Sequence, residues 1–493
     1  MRLEYVLIPT LPRLAWAAEL RRGQNAVLVF HGAWVETRED GFFEGAWDGV
    51  FEAGAFDRAL TFVGSGARLV DGGVLFAGPT HTFDRLHSIS SEDALFVSNS
   101  LVFLLALSGE RLDPSHRHYY LDFLDHFRSG IHSKTKYLRL AGGKIAEFHD
   151  CCNLEVRPDL CMSRREKLVG PPPGDYASYV AHLAQTTKAV FANAADARRK
   201  WPYRPVTTLS QGYDTAAVSA LAAAAGCREA VTFLRSNGTS GYEDDSGISI
   251  AQCLNLQITE YERTDYEGLK ERRDEEFYIE PDGVDRSFAV MEPQLSGALL
   301  LTGRFGERLW SREPGIRWGL PGDTGNPEFR APTGFKLGGC ALGEFRMRIG
   351  FIHFPVPCSG ALHARAIREI TESAEMKPWS MGGGYDRPIA RRMAEEAGVP
   401  RRLFGQSKKG GPQRTGVQGR NWIRRVIYSL WVASYWPPLR ILIQRVTGNR
   451  LNPMWRRGSF EVQRAAERMT QRYSAAIADS ASPARRSVGS PAG

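Results

Sequence analysis

The chain has 493 residues, of which 43% are apolar and 24% are charged, a composition typical of a folded globular protein. Single hydrophobic cores stop growing at about 250–300 residues, so this length predicts more than one domain. Residues 401–493 contain 18 Lys and Arg against three Asp and Glu, so the net charge of +8 belongs to the C-terminal part. The basic balance therefore does not favour a nucleic-acid-binding fold, and no zinc-finger, homeodomain or RNA-recognition signature is present.

The seven cysteines form no Cys-x-x-Cys pair, which argues against a zinc site. An odd count in a long chain suits a reducing cytoplasm, and residues 1–5 lead into no apolar core of a secretory signal. The sequence contains no uncharged apolar run of about 18 residues, so we predict no membrane-spanning helix. We therefore expect a cytoplasmic protein, in which the adjacent Cys151 and Cys152 are structural.

Residues 1–160 have the pattern of a strand-rich domain. Residues 26–30 are a short apolar run, and residues 68–76 place Asp-Gly-Gly between two apolar runs, which predicts a hairpin. Residues 95–107 predict a strand that leads into a second apolar run, and residues 137–148 predict another strand, turn and strand.

A Pro-Pro-Pro-Gly segment at residues 171–174 is stiff and non-helical, and we place a linker at residues 161–175 around it. Asp175 is the predicted N-cap of a helix over residues 176 to about 199, whose apolar residues fall on one face. The second domain is therefore predicted at residues 176–415.

A short β-branched run, a polar turn and an Ala-rich helical run follow one another over residues 206–225. Such a unit directs backbone N–H groups and the positive end of the helix dipole at the turn, which favours an anion. The turn, residues 210–215 (Ser-Gln-Gly-Tyr-Asp-Thr), lacks the Gly-Lys-Ser/Thr end of a Walker A loop. Turns of this composition are also common without a ligand, so the turn alone leaves both interpretations open.

Strands and helices alternate after this unit. Residues 230–234, 257–261 and 298–302 are predicted strands, and residues 248–254 are a predicted helix. This alternation implies a parallel, doubly wound sheet. The acidic residues 243–245 precede the helix, and either they cap its N-terminus or they bind a ligand.

The turn at residues 210–215 resembles the pyrophosphate loop (PP-loop) Ser-Gly-Gly-x-Asp-Ser of the ATP pyrophosphatase superfamily. Within that superfamily, it is most similar to the synthetase half of the asparagine synthetase family. The matching residues are Ser210, Gly212, Asp214 and Thr215, and Gln211 replaces a glycine of the motif. The resemblance implies that these five residues hold the pyrophosphate part of ATP and that Asp214 is also a Mg²⁺ ligand.

Residues 298–310 resemble the family's Ser-Gly-Asp/Glu-Gly-x-Asp-Glu-Leu-Phe segment, which approaches ATP and Mg²⁺. By that register, Thr302 and Gly303 line the nucleotide, and Glu307 is a second metal ligand. The family's Asp-Glu pair is here Glu307 and Arg308. Because an arginine can neutralise phosphate but cannot hold a metal ion, this change predicts either altered metal use or a degenerate site.

Residues 385–401 have the pattern of a helix with Pro388 near its start and a glycine at its end, followed by a basic loop. This order resembles the family's Lys-x-Ile/Leu-Leu-Arg helix and its Arg-x-Lys-x-Gly/Gln-Phe loop. It implies that Lys408 is catalytic and stabilises charge that develops on the phosphate. The alternative is that Lys408 and Lys409 are a solvated lysine pair.

Residues 1–160 resemble, more loosely, the glutaminase half of the same family. The family's nucleophile is an N-terminal Cys, whereas Arg2 follows Met1 here and the first cysteine is Cys151. The resemblance implies an α/β chain: an N-terminal degenerate glutaminase-like (Ntn-type) αββα domain and a C-terminal doubly wound, parallel-sheet PP-loop domain of the adenine nucleotide alpha hydrolase-like type. We expect the first domain to be a scaffold without glutamine hydrolysis.

His353 lies in an apolar run, which favours a buried, hydrogen-bonded histidine over a catalytic one. Residues 421–446 are apolar, aromatic and basic, and predict two helices broken at Pro437-Pro438. Either they pack on the core or they lie peripherally on the anionic inner face of a membrane. We predict a basic amphipathic helical extension at residues 416–473 and a disordered tail at residues 474–493.

The resemblance implies an ATP-dependent ligase that uses Mg²⁺. ATP would activate a carboxylate as an acyl-adenylate, pyrophosphate would leave, and an amine would form the amide. The partners would be small-molecule or peptide carboxylates and amines, with no nucleic acid. The rival hypothesis is a non-catalytic binding or scaffold protein on the same fold, which Gln211, Arg304 and Arg308 favour.

Overall fold

The computed structural model describes residues 1–120, 122–123, 126, 136–236, 244–279, 285–312, 342–383, 385–407, 409 and 452–481. The strands are β1 (Arg2–Leu7), β2 (Trp16–Arg21), β3 (Ala26–His31), β4 (Glu36–Thr37), β5 (Gly41–Trp47), β6 (Phe62–Val70), β7 (Gly73–Ala77), β8 (Leu86–Ser90), β9 (Ala94–Ser98), β10 (Tyr137–Arg139), β11 (Ile145–His149), β12 (Cys152–Val156), β13 (Met162–Glu166), β14 (Arg204–Thr208), β15 (Glu229–Phe233), β16 (Gln257–Tyr261), β17 (Ala298–Thr302) and β18 (Ile352–Pro355). The α-helices are α1 (Leu101–Ser108), α2 (Tyr176–Ala194), α3 (Tyr213–Ala224), α4 (Ile248–Cys253), α5 (Glu275–Tyr278), α6 (Glu292–Leu295), α7 (Gly306–Leu309), α8 (Gly343–Ile349), α9 (Ala364–Glu372), α10 (Pro388–Glu396) and α11 (Asn452–Ala481).

Two sheets form the first part of the chain. Seven strands pair in the order β1-β3-β2-β9-β8-β11-β10, and six antiparallel strands pair in the order β13-β12-β7-β6-β5-β4. Trp16 of the first sheet shares one buried core with Phe42 and Phe76 of the second, and the rings of Trp16 and Phe76 stack 6.0 Å apart. The two sheets therefore pack face to face.

Helices cover the outer faces of both sheets. Phe103 of α1 and Met469 of α11 share a core with Ala17 of β2 on the seven-stranded sheet. Leu183 of α2 shares a core with Ala46 of β5 on the six-stranded sheet. The layers of this part of the fold therefore run helix, sheet, sheet, helix.

The hairpin predicted within residues 68–76 is confirmed. Val70 pairs with Gly73 across the two-residue turn Asp71-Gly72, and Gly72 has φ +78°. Glycine adopts this left-handed conformation without the steric cost that a Cβ would add.

The helix predicted from residue 176 is also confirmed, although α2 ends at Ala194. The Asp175 carboxylate accepts the N–H of Ser178 at 2.8 Å, and the Ser178 hydroxyl closes a capping box.

The predicted linker at residues 161–175 needs correction, because β13 lies inside it and pairs with β12. The six-stranded sheet therefore extends past residue 160. Residues 163–166 of β13 are exposed and β13 has no apolar run, which suits an edge strand but conceals it in the sequence.

The predicted disordered tail at residues 474–493 also needs correction, because α11 continues to Ala481. Val462, Met469 and Ala476 recur every seven residues and are buried against α1 and the seven-stranded sheet. Burial of this stripe stabilises the helix by packing one of its faces on the core.

The five-stranded sheet is parallel throughout and has the order β16-β15-β14-β17-β18. Leu299 and Leu301 face one core, and Leu300 between them faces another, so the sheet is buried on both faces. The predicted parallel sheet is therefore present. β18 was not predicted from the sequence, because four residues that include His353 give no strand pattern.

Helices lie on both faces of the parallel sheet. Val218 of α3 and Ile389 of α10 belong to the core on one face. Phe345 of α8 belongs to the core on the other face, with Val206 of β14. The helices therefore pack on the faces of the sheet, and the loops that follow the strands lie at its carboxyl edge.

Helix α8 also joins this sheet to the first part of the fold. The Arg346 guanidinium donates to both oxygens of the Glu44 carboxylate at 2.8 and 3.1 Å and to Asp84 at 2.9 Å. The Glu344 carboxylate accepts the hydroxyls of Ser100 at 2.7 Å and Tyr473 at 3.0 Å. One short helix therefore fixes both sheets of the sandwich and α11 to the parallel sheet.

Candidate functional site

Two of the stretches singled out in the sequence meet at one edge of the parallel sheet. In sequence order the strands run third, second, first, fourth, fifth, so the order reverses between β14 and β17. Open α/β sheets bind ligands in the crevice at the carboxyl ends of the strands at this switch point. Residues 209–215, here called the β14 loop, and residues 303–307, the β17 loop, follow these two strands.

The β17 loop lies directly against Asp214 of the β14 loop. A Cβ on Gly303 would come within 2.6 Å of the Asp214 carbonyl carbon, and a Cβ on Gly306 would come within 2.6 Å of its carboxyl carbon. Only glycine allows this approach at either position. Gly303, predicted to line the nucleotide, therefore packs on the other loop.

Hydroxyl groups within the β14 loop fix its shape. The hydroxyl oxygens of Ser210 and Thr215 lie 3.0 Å apart, and the Thr215 hydroxyl also accepts the Ser210 N–H at 3.2 Å. The Ser210 hydroxyl accepts the N–H of Gly212 at 3.2 Å. The structure therefore brings together Ser210, Gly212 and Thr215, as the motif predicts, in a loop that is already ordered by its own side chains.

Gln211 ties the β14 loop to the residues that follow β15. Its side-chain amide donates to the Asp244 carboxylate at 2.9 Å, and its backbone N–H donates to the Asp245 carboxylate at 3.2 Å. The N-cap of α4 is Gly247, without a side-chain capping bond. The interpretation of the acidic cluster as a helix cap is therefore wrong for Asp244 and Asp245, which bind Gln211.

Asp245 is almost fully buried beside this loop. Burial raises the pKa of the Asp245 carboxyl to about 6, although the Gln211 N–H and the nearby Lys409 favour the charged form. A carboxyl with this pKa takes up a proton just below neutral pH.

The predicted catalytic residue Lys408 lies outside the described residues. Its neighbour Lys409 is described, and its ammonium donates to the side-chain oxygen of Gln211 at 2.5 Å and to the Asp244 carbonyl at 2.6 Å. The backbone N–H of Gly405 donates to the Gln211 carbonyl at 2.8 Å. Gly405 and Lys409 therefore both contact the β14 loop at Gln211.

Asp214 forms a buried ion pair with Arg387, at the N-terminus of α10. The Arg387 guanidinium donates to the Asp214 carboxylate, and the two side chains are only 5% and 14% exposed. Burial disfavours the charged guanidinium. The Asp214 carboxylate and, less strongly, Tyr385 and Glu307 outweigh this effect and raise the pKa of Arg387 above its usual range. Arg387 is therefore charged at neutral pH.

The residues present do not fit a Mg²⁺ ion bound by the protein itself. Mg²⁺ requires free carboxylate, phosphate or water oxygens in octahedral arrangement. Asp214 pairs with Arg387, and the negative charge of Glu307 also acts on Arg387. Among the residues that the structure describes, no group of three His, Cys, Asp or Glu could hold a metal ion. Of the two predicted metal ligands, Asp214 is thus paired with an arginine.

Thr302, predicted to line the nucleotide, forms a hydrogen bond to the buried His353. Its hydroxyl lies 2.9 Å from Nε2 of His353, and both residues are buried. Burial, with the charge of Arg304, lowers the pKa of His353 well below its usual value, so the imidazole is neutral. The prediction that His353 is a buried, hydrogen-bonded residue is confirmed.

Arg304 and Phe305 of the β17 loop contact residues away from Asp214. Arg304 forms an ion pair with Asp285 at 2.9 Å. Phe305 has φ +76°, and its ring meets the edge of Phe83, from the sandwich, at a centroid distance of 5.1 Å. A positive φ at a bulky residue is costly, so this contact with the sandwich holds the β17 loop in a strained conformation.

The sequence analysis missed two arginines of α10 that reach the β14 loop. Besides Arg387, the fully buried Arg391 donates to the hydroxyl of Tyr213 and lies 4.8 Å from the centre of its ring. A Cβ on Gly405 would come within 2.4 Å of the Tyr213 ring. The available signal was the spacing of Arg387, which directly precedes α10, and Arg391, four residues later in the helix.

Comparisons with known proteins assign no family. A scan against protein-family models finds no match for this chain, and a search of curated proteins finds no similar sequence. Within the described ranges, no helix combines the length and the apolar character that crossing a membrane requires. Residues 421–446, predicted as two helices in contact with the core or a membrane, lie outside the described residues, as do residues 482–493 of the predicted tail.

Proposed function

We propose that this protein is an asparagine synthetase-like ligase that consumes ATP, activates a carboxylate as an acyl-adenylate and joins it to an amine. One observation carries the proposal. The β14 loop and the β17 loop, picked from the sequence for their likeness to ATP-binding segments, meet at the switch point of a parallel sheet. Ligands of open α/β sheets bind at this position.

The start of α3 supports pyrophosphate binding. The first turn of this 12-residue helix, Tyr213 to Thr215, directs N–H groups and the positive end of the helix dipole toward the switch point. Lys409 adds a mobile positive charge within hydrogen-bond reach of the loop. We assign Lys409 the charge-stabilising role that the resemblance gives to the lysine of this segment.

The first part of the chain supports the proposal, because its helix, sheet, sheet, helix layers suit the Ntn-type αββα scaffold that the resemblance implies. Arg2 begins β1, and residues 1–150 contain no cysteine that could attack glutamine. The amine is therefore ammonia, a small-molecule amine or a peptide amine taken from solution. The acyl donor is a small-molecule or peptide carboxylate.

A second candidate function, a non-catalytic binding protein on this fold, is favoured by the Asp214–Arg387 ion pair. A carboxylate held by a buried arginine is not available as a metal ligand. The side-chain amide of Gln211 donates to Asp244 through its nitrogen and accepts from Lys409 through its oxygen, which also favours a non-catalytic binding protein.

Product analysis separates the two functions. The protein is incubated with ATP, Mg²⁺ and pools of carboxylates and amines, and AMP and pyrophosphate are quantified. The ligase releases them in equal amounts with an amide, and Lys409→Gln lowers the rate at least tenfold, whereas the exposed Lys377→Gln leaves it unchanged. Release that is absent with every pool, in a protein that also fails to bind ATP, would favour the non-catalytic candidate.

A further inference from the structure

We propose that the polyphosphate group bound at the switch point is neutralised by Arg387 and Lys409, in place of a metal ion held by the protein. The ligand class is a pyrophosphate or triphosphate chain. This inference rests on the proposed function, because it concerns the same site. It differs from the resemblance, which implies that Asp214 and Glu307 carry Mg²⁺.

Arg387 retains hydrogen-bonding capacity. Its residue surface is 4% exposed, and one terminal nitrogen of its guanidinium is bonded to Asp214. Its Nε is buried and has no hydrogen-bond partner among the residues that the structure describes. A guanidinium has five N–H groups in a planar fork that matches phosphate, so Arg387 can serve Asp214 and an anion together.

Packing holds Arg387 in this position. The guanidinium lies 5.1 Å from the centre of the Tyr385 ring, and the residue directly precedes α10. Withdrawing Arg387 to free Asp214 for a metal ion would break the ion pair in a mostly buried environment, which is strongly unfavourable. A protein-bound metal ion would therefore have to compete with an arginine that is already fixed.

Lys409 supplies the second positive charge. Its two described hydrogen bonds are to neutral oxygens, the Gln211 amide and the Asp244 carbonyl. Neither of these hydrogen bonds pairs the ammonium with a carboxylate, so Lys409 can also donate to an incoming anion. Lysine is a flexible point charge and arginine a rigid fork, and the two together suit a phosphate chain with several oxygens.

The substitution Asp214→Asn distinguishes anion binding by Arg387 from metal binding by Asp214. If Asp214 is a metal ligand, Asp214→Asn abolishes binding. If Arg387 is the anion ligand, Asp214→Asn keeps the shape of the side chain, removes the competing negative charge and releases the arginine. The two accounts therefore predict changes of opposite sign for one substitution.

The test is calorimetric titration of the full chain with inorganic pyrophosphate, once in EDTA and once in Mg²⁺. We expect wild-type affinities within about threefold of each other, tighter binding by Asp214→Asn in EDTA, and at least tenfold weaker binding by Lys409→Gln, with Lys377→Gln as the matched control. Thermal unfolding of each variant checks that it is folded.

Binding that requires Mg²⁺ and is lost in Asp214→Asn would overturn the inference while leaving the proposed ligase intact. Failure to bind pyrophosphate in either condition, together with failure to bind ATP, would remove both. If Asp214→Asn does not fold, Lys409→Gln decides, because unchanged affinity in EDTA would overturn the inference.

Discussion

The carboxyl carbon of Asp214 lies so close to Gly306 that a Cβ on the glycine would come within 2.6 Å of it. Gly306 begins α7 in the β17 loop, and Asp214 lies in the first turn of α3. The contact therefore fixes the separation of the two loops at the switch point. The Arg387 guanidinium meets Asp214 in the same place.

Gly306→Ala should disrupt the site. The added methyl group must push Asp214 away from Arg387, and overpacking of this kind costs about 1–3 kcal/mol in the free energy of unfolding. Urea denaturation measures that loss, and pyrophosphate binding should fall as well. Gly268→Ala is the control, because nothing lies within 4 Å of its added Cβ. Equal stability of the two variants would contradict the observed contact.

Arg346→Met should cost far more than loss of a surface charge. The buried Glu44 and the partly buried Asp84 would each lose their arginine, and breaking a buried ionic network typically costs about 3–5 kcal/mol. Arg365→Met is the control, because Arg365 is 69% exposed in its pair with Glu369, and such pairs contribute at most about 1 kcal/mol. Equilibrium unfolding in guanidinium chloride compares the two, and similar losses would show that Arg346 does not hold the two parts together.

Glu344→Gln should change how stability depends on pH. Burial raises the pKa of the Glu344 carboxyl to about 7 in the folded protein, despite the hydroxyls of Ser100 and Tyr473, which favour its charged form. The folded protein therefore binds this proton more tightly than the unfolded chain, so the contribution is full below pH 4.5 and is lost as pH rises through 7. Glutamine imitates the protonated acid at every pH.

The variant and the wild type should thus be about equally stable near pH 5, and the variant should be more stable by about 2–3 kcal/mol at pH 8. Thermal or urea unfolding at both pH values measures the difference. Glu369→Gln, on the exposed side of α9, should differ from wild type by the same small amount at both pH values. A difference for Glu344→Gln that stays constant with pH would refute the buried, raised-pKa carboxyl.

Met469→Ala tests the attachment of α11. Met469 is 4% exposed in the core beneath the seven-stranded sheet, and truncation of a buried methionine costs about 2–5 kcal/mol. Phe460, on the same helix, is 53% exposed, so Phe460→Ala should change the free energy of unfolding by less than about 0.5 kcal/mol. Urea unfolding compares them, and a small effect of Met469→Ala would mean that α11 is not part of the core in solution.

Elements that depend on residues close in the sequence were predicted correctly. The hairpin turn at Asp71-Gly72, the cap at Asp175 and the strand before residues 210–215 depend on neighbouring residues, and all were predicted. β13 and β18 were missed, because an edge strand of charged residues and a four-residue strand have no periodic pattern. Only pairing with distant strands makes them regular.

The site was predicted less completely than the fold. The motif gave Ser210, Gly212, Asp214 and Thr215, which the structure brings into one loop. It did not give Arg387, which is 173 residues beyond Asp214 and meets it only through the packing of α10 on α3. The charge balance of the candidate site depends on this long-range contact. A motif within one loop contains no information about a residue so distant in the sequence.

The central claim, a nucleotide site at the switch point, is tested most directly by calorimetric titration of the protein with ATP. Thr215→Val keeps the volume of the side chain but removes the hydroxyl that orders the β14 loop, whereas Thr371→Val removes a buried hydroxyl that bonds only to its own helix. The account predicts saturable ATP binding by the wild type and Thr371→Val, and at least tenfold weaker binding by Thr215→Val. No binding by the wild type at saturating ATP, or equal binding by all three proteins, would contradict it.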